Sequence, residues 1–250
     1  TAAASTSYCD VMTDTRTGRR TFFHLHGANA LLAPADFDFT GTRARIFHLG
    51  YLLLLDRLDR MENGRPCAFD VLKRARDAGM LTSLDCVSEN SDRFAAVLKP
   101  VLPQVDILFV NDFEAEKITG LELRAGAGGA VRRPAVEQAA ESLIGHGVHR
   151  CVVLHFPEAV YALERDGHGV WQPSLRVPRE AIRGTAGAGD ALAAGVLYGI
   201  HETWSMGDSL RLGVCVAAAS LADASCSEGV RKVDECLALE GLFGLLSMPE

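Results

Sequence analysis

The run Arg183-Gly184-Thr185-Ala186-Gly187-Ala188-Gly189-Asp190 concentrates more potential chemistry than any other stretch of this sequence. Its glycines and small residues remove nearly all Cβ bulk, so the backbone can turn tightly and a ligand can approach its N–H groups. Ala191 to Ile200 follows as an apolar, alanine-rich run and predicts a buried helix. A glycine turn opening a helix aims N–H groups and the positive end of the dipole at one place, which suits an anion. Asp190 sets a carboxylate at that place, and a base beside a phosphate cradle is what phosphoryl transfer requires. The competing reading is an ordinary strand-to-helix turn with a capping aspartate, which a bare Gly-Ala-Gly-Asp fits equally well.

A second motif stands upstream. Val105 to Val110 is a mostly apolar run of strand length. Asn111 then opens a helix whose first turn carries Asp112 and Glu114, as the helix dipole favours. Taken alone, the N-x-x-E spacing of Asn111 and Glu114 is a common helix cap. No Gly-Lys-Ser/Thr follows the downstream glycines, so a Walker A loop is excluded, and the G-x-G-x-x-G spacing of a dinucleotide fold is absent.

Together the two motifs resemble the ribokinase-like (PfkB) carbohydrate kinases. That family's second signature reads D-T-x-G-A-G-D-x-F-x-A-G, and Gly187, Ala188, Gly189, Asp190 and Gly195 fall on it. Asn111 and Glu114 fall on its N-x-x-E motif. The resemblance implies an α/β fold, a three-layer α/β/α sandwich with a mostly parallel sheet and a small β lid. It implies ATP-dependent phosphorylation of a sugar hydroxyl, with Asp190 as base and the N–H groups of Ala188, Gly189 and Asp190, reached past Gly187, as an anion hole. Thr185, Gly187 and Gly189 would face the nucleotide, and Ser227 and Gly229 of the Cys226-Ser227-Glu228-Gly229 loop the adenine. Asn111 and Glu114 would hold Mg²⁺, through water, an ion that keeps several waters and takes few direct carboxylates. Gly27 and Asn29 would lie beside the sugar. Gly184 stands where the family has an aspartate that serves a monovalent cation in many members, so a potassium requirement stays open. Leu192 replaces an aromatic, and Phe156-Pro157-Glu158-Ala159 replaces a glycine-bearing phosphate loop.

The elements that must position these residues are legible as an alternation of strands and helices. A strand running on into a turn is predicted over Ile46–Leu55, and strands at Met80–Asp85, Val105–Val110 and Arg150–His155. Tyr161–Glu164 and Gly169–Gln172 form a hairpin about Asp166-Gly167. Helices are predicted over Arg65–Ala78, Asp92–Lys99, Ala135–His146, Met206–Ala222 and Val233–Phe243. Ser7–Thr13 and Arg19–Leu25 read as two strands joined at Thr17-Gly18, the counterpart of the family's lid, which commonly pairs between subunits. Residues 1–29 are therefore assigned to the lid and substrate side, and residues 30–250 to the kinase core. The family's first signature, with its Gly-Gly pair, is not found upstream of Gly27, so an N-terminal part of the fold is expected to precede this sequence. A homodimer through Ser7–Leu25 is expected.

Composition sets the outer bounds. The 250 residues are 48% hydrophobic and 23% charged with a net charge of −7, which argues against nucleic acid as the main partner. Cys9, Cys67, Cys86, Cys151, Cys215, Cys226 and Cys236 are scattered without metal-ligand spacing and read as reduced thiols, with Cys86, Cys151 and Cys215 in the core. No apolar stretch is long enough to span a membrane and no signal peptide is seen, so a cytoplasmic protein is expected. The eight histidines lack metal spacing; His24 and His26 read as a solvated strand face. Asp10 and Asp14 could reach a sugar but fit turn residues better, Arg19 and Arg20 could contact substrate or phosphate but fit exposed lid charge better, and Trp171 and Trp204 fit surface or hairpin packing. A nucleoside kinase and a catalytically weak sugar or nucleotide sensor remain open beside the sugar kinase.

Overall fold

The computed structural model describes residues 4–13, 20–126 and 128–249, with the side chains of residues 13 and 20 left out. It divides into two compact units, Thr1–Gln104 and Val105–Glu250.

The first unit opens with β1 (Tyr8–Thr13) and β2 (Arg20–Leu25), antiparallel in the register Tyr8↔Leu25 to Thr13↔Arg20. Directly paired residues share a face of a two-stranded ribbon, so Tyr8, Met12, Phe23 and Leu25 line one side, and all four are exposed. The turn expected at Thr17-Gly18 lies outside the described residues.

Strand β3 (Ile46–Leu52) is followed by α1 (Asp56–Asp59), the short strands β4 (Met61–Glu62) and β5 (Arg65–Pro66), α2 (Ala68–Asp77), β6 (Leu81–Cys86) and α3 (Arg93–Leu98). Strands β3 and β6 run parallel, with α2 in the crossover packed on both. Helix α2 buries Ala68, Val71, Leu72 and Ala75, the i, i+3, i+4, i+7 stripe of an amphipathic helix. The helix expected from Arg65 starts later, because Arg65-Pro66 pairs with Met61-Glu62. Asn63 (φ 53°) and Gly64 (φ 79°) make that turn, the pair of left-handed residues that tight hairpins demand. An Asn-Gly signal thus outweighs helix propensity.

The second unit runs β7 (Ile107–Asn111), α4 (Asp112–Thr119), α5 (Arg133–Gly145), β8 (Cys151–Phe156), β9 (Ala159–Glu164), β10 (Gly169–Pro173), α6 (Ala188–His201), α7 (Met206–Ser220) and α8 (Val233–Phe243). Strand β8 pairs parallel with β7 and antiparallel with β9, which pairs antiparallel with β10. The predicted hairpin is present, with Gly167 at φ 91° in its turn. Strand β9 starts earlier than expected, since Pro157-Glu158 alone makes the turn between Phe156 and Ala159. Helix α5 lies against β8 and β9, and α7 against β9 and β10. Because β9 is buried along nearly all its length, these two helices cover its two faces, the layering of a sheet with no solvated side.

Helices α6 and α7 approach at backbone distance. A Cβ on Gly195 would lie 2.8 Å from the Cα of Gly213, so the last glycine of the signature serves helix packing. Trp171 packs in the hairpin, 4.8 Å from the Tyr161 ring, and donates through Nε1 to Glu137 at 2.9 Å. Trp204 stands edge-on to Tyr198. All seven cysteines are free, and Cys86, Cys151 and Cys215 are buried as expected. Burial pushes the Cys151 thiol up to about 12. No helix among the described residues is long and apolar enough to cross a membrane.

Candidate active site

The start of α6 differs from the expected one in a way that matters for chemistry. The helix begins at Ala188, three residues before the predicted Ala191, and Gly187 occupies the cap position at φ 79° with no side chain capping it. Asp190 is exposed and sits on the first helical turn, so it is not the capping residue. The first intrahelical bond runs from the Ala191 N–H to the Gly187 carbonyl at 2.8 Å. Helix geometry therefore directs the N–H groups before Ala191 toward acceptors outside the helix.

Crowding explains the small residues ahead of it. A Cβ on Gly187 would meet the Cys226 carbonyl at 2.7 Å, and one on Gly184 would meet the Ala224 Cα at 2.9 Å. The Arg183 N–H donates to the Leu221 carbonyl at 2.8 Å. The loop after α7 thus lies directly against the glycine turn, and Ser227 and Gly229 belong to that loop. Ser227 is exposed and its carbonyl accepts from Val230 at 3.0 Å; Gly229 is buried, its Cβ position 2.7 Å from the Ala219 carbonyl. Thr185 is exposed between the two crowded glycines.

The start of α4 is closed instead. Asn111 accepts the Glu114 N–H at 2.9 Å, and the Glu114 carboxylate accepts the Asn111 N–H at 2.9 Å, a reciprocal capping box. Glu114 is buried at 2% exposure. One oxygen of each side chain is thereby committed to the cap, so these residues fit a magnesium ion held through water rather than as a full set of direct ligands.

Two residues that the sequence reading passed over border this region. Arg124 donates to Asp112 at 2.5 Å, to both oxygens of Glu158 at 2.9 and 3.0 Å, and to the Gly129 carbonyl at 2.9 Å. Hydrogen bonding to Glu158 and then to Asp112 holds the guanidinium above its ordinary range, and Arg124 in turn lowers Glu158. The Pro157-Glu158 turn is thus strapped to the start of α4. The available signal was a lone arginine in a glycine-rich loop, which needs a partner when it is mostly buried.

The second is His155, directly opposite Asn111 in the β7–β8 register. Its Cε1 lies 3.2 Å from where a Gly189 Cβ would stand. Burial lowers its pKa to about 4, against the opposing pull of Asp112 and Asp190. His155 therefore joins the ends of β7 and β8 to the first turn of α6, at the carboxyl ends of parallel strands, where open α/β sheets bind ligands.

In the first unit, Gly27 (φ 50°) and Asn29 lie in a single 3₁₀ turn, Gly27–Leu31. The Asn29 backbone N–H donates to the His26 carbonyl at 3.1 Å and its side chain is exposed. His24 is exposed as expected; His26, half-buried past the strand end, pairs with Asp56 at 2.6 Å. Asp10 is exposed on β1. Asp14 and Arg19 lie outside the described residues, as does the Arg20 side chain.

Known proteins share the fold. The 5-dehydro-2-deoxygluconokinase of Clostridium perfringens is 27% identical over 179 residues, 70% of this chain and 50% of that enzyme. The chain spans about half the length of that curated relative. An Arabidopsis thaliana ribokinase, solved with ribose and ATP, superposes with a TM-score of 0.69 at 18% identity, over 95% of this chain and 70% of that one. A Burkholderia thailandensis nucleoside kinase, solved with inosine, superposes at 0.68 and 16% identity over 99% and 71%. These likenesses give the chain the ribokinase-like α/β/α fold. With the pfkB carbohydrate kinase profile matching residues 1–232, the chain belongs to the pfkB family of carbohydrate kinases.

Proposed function

We propose that this chain transfers the γ-phosphoryl group of ATP to a hydroxyl of a carbohydrate. The observation that carries the reading is the α6 start: a helix terminus without a side-chain cap, with an exposed carboxylate on its first turn. The N–H groups of Ala188, Gly189 and Asp190 receive the transferring group's charge, a donor set fixed in place before the reaction begins. Asp190 takes the proton of the attacking hydroxyl as the new oxygen–phosphorus bond forms and ADP leaves. Thr185 and Gly187 line the approach to the nucleotide, and Ser227 and Gly229 its base. Asn111 and Glu114 orient water around Mg²⁺, which neutralises phosphate charge when bound. Gly27 and Asn29 face the sugar, with residues 1–29 as the lid side and 30–250 as the core.

The exposed face of β1 and β2, with Tyr8, Met12, Phe23 and Leu25, supports a homodimer through the lid, since open strand edges and apolar faces are normally covered. Seven free thiols and the need for ATP support a cytoplasmic setting. At Gly184 a Cβ would stand 2.9 Å from the Ala224 Cα, which disfavours the aspartate that the resemblance implies there, so no potassium requirement is assigned.

The test is ADP release by the purified protein with Mg²⁺ and a panel of acceptors. 5-dehydro-2-deoxygluconate heads the panel because the clostridial relatives are named for it; pentoses, hexoses and nucleosides complete it. Acceptor-dependent ADP release on a sugar is expected. Turnover on nucleosides alone would move the chain to that class. Tight binding with no turnover on any acceptor would make it a sensor.

A further inference from the structure

We propose that His155 is a phosphate-contacting residue, its Nε2–H donating a hydrogen bond to an oxygen of the γ-phosphoryl group held at the start of α6. The inference rests on the kinase reading and adds to it a side-chain donor outside the glycine turn. Strand β8 fixes His155 between two neighbours: its backbone lies opposite Asn111 on one side and Val160 on the other. Its ring edge reaches the first turn of α6, with Cε1 3.2 Å and Nε2 3.7 Å from the position a Gly189 Cβ would take. A side chain at 189 would therefore push the ring away, and the glycine lets imidazole and helix start share one place. Asp112 and Asp190, the carboxylate that Arg124 engages and the one proposed as base, both act on the ring electrostatically.

A polar ring at this position needs a reason. The flanking β8 side chains Leu154 and Phe156 are buried, and an aliphatic residue would fill the space without the desolvation that a histidine suffers. A neutral imidazole still offers one N–H donor. A donor here reaches only the terminal phosphoryl group, because that group is the one brought to the N–H groups of the first turn. The contact thus distinguishes a triphosphate from a diphosphate. One hydrogen bond to a charged oxygen corresponds to roughly 10–100-fold in affinity.

The experiment measures equilibrium binding of Mg-ADP and of the non-hydrolysable β,γ-imido analogue of Mg-ATP. It compares the wild type with His155→Leu, which keeps bulk, and His155→Gln, which keeps an N–H donor. The expected result is a roughly 10–100-fold loss of the triphosphate analogue in His155→Leu, unchanged ADP binding, and recovery of most of the loss in His155→Gln. Equal losses for both nucleotides, or no loss for either, would overturn the proposal while leaving the kinase reading intact. A wild type that binds neither nucleotide overturns both. If His155→Leu does not fold, His155→Phe takes its place. Failure of both to fold would make the ring a core element and end the proposal.

Discussion

Helix α4 starts at the carboxyl end of β7 and α6 starts beside His155 near the end of β8, and their first turns are built in opposite ways. At α4, Asn111 and Glu114 answer each other's N–H groups, and the helix start is complete within the chain. At α6, Gly187 offers no side chain, and Asp190 stands on the first turn instead of capping it. The same dipole acts at both ends, but only one leaves its donors directed outward. A capped terminus is a structural element; an uncapped terminus with a carboxylate beside it is fitted to chemistry. On the proposed reading, the difference separates the residues that would receive phosphate charge from those that would arrange water around a metal ion.

The largest test of that contrast is Asp190→Asn. Asparagine keeps the size of the side chain but cannot take a hydroxyl proton. Positioned general bases contribute about 10²–10⁴-fold, or on the order of 3–5 kcal/mol of barrier. We expect kcat to fall by that factor, with nucleotide affinity unchanged or slightly better as a negative charge leaves the site. If the carboxylate serves only the helix dipole, melting falls by a degree or two and turnover stays near normal. Steady-state kinetics beside a thermal melt separate the two.

The next effect is on stability in acid, and its sign follows from His155. The folded chain holds this ring neutral down to about pH 4, whereas an unfolded histidine takes a proton near 6.5. Between those values the unfolded state binds more protons, so stability falls as pH drops from about 6.5 toward about 4 and is flat for this group above 6.5. The full gap corresponds to about 3 kcal/mol, an upper bound for a half-buried ring. Urea unfolding at pH 7 and pH 5 should show a smaller acid loss in His155→Leu than in the wild type. Equal losses would assign the acid sensitivity to other groups.

These residues also show what a sequence makes legible. The order of strands and helices could be read because buried β7 and β8 are continuous apolar runs and the helix ends fall near glycines. Gly187 to Asp190 stood out because an alanine- and glycine-rich turn before an apolar helix is unusual in itself. His155 and Arg124 did not stand out, because their significance depends on partners far along the chain: Gly189 for one, Asp112 and Glu158 for the other. The α6 start was misplaced because Ala188 and Gly189 carry no side-chain signal and the αL residue that sets the start is a backbone property. Arg65-Pro66 was read into α2 because a two-residue strand is too short for periodicity to register.

Glu114→Gln sharpens the comparison from the closed side. Glutamine also completes a capping box, so α4 and the melting temperature should change little. Its neutral amide is a poorer anchor for water around Mg²⁺, and outer-sphere partners of metals typically contribute 10–100-fold. We expect turnover at limiting Mg²⁺ to fall by that range and to recover in part as Mg²⁺ is raised. Unchanged turnover at every Mg²⁺ concentration would leave Glu114 with the cap alone.

The smallest effect belongs to Asn111→Ala, and it decides how the two helix starts divide their labour. Alanine removes the oxygen that accepts the Glu114 N–H, while the Asn111 backbone N–H can still donate to the Glu114 carboxylate. Loss of one capping bond costs about 1 kcal/mol, which for a chain of this size lowers Tm by about 2–4 °C. If Asn111 is a cap only, that shift is the whole consequence, and KM for Mg-ATP stays at the wild-type value. If it also orders water around the metal, KM for Mg-ATP rises without a matching fall in kcat, since the reacting hydroxyl and Asp190 are untouched. Replacement by Asp, an equally good cap with an added charge, should restore Tm in either case. KM is then the quantity that tells whether the closed helix start takes part in binding or only holds α4 at the end of β7.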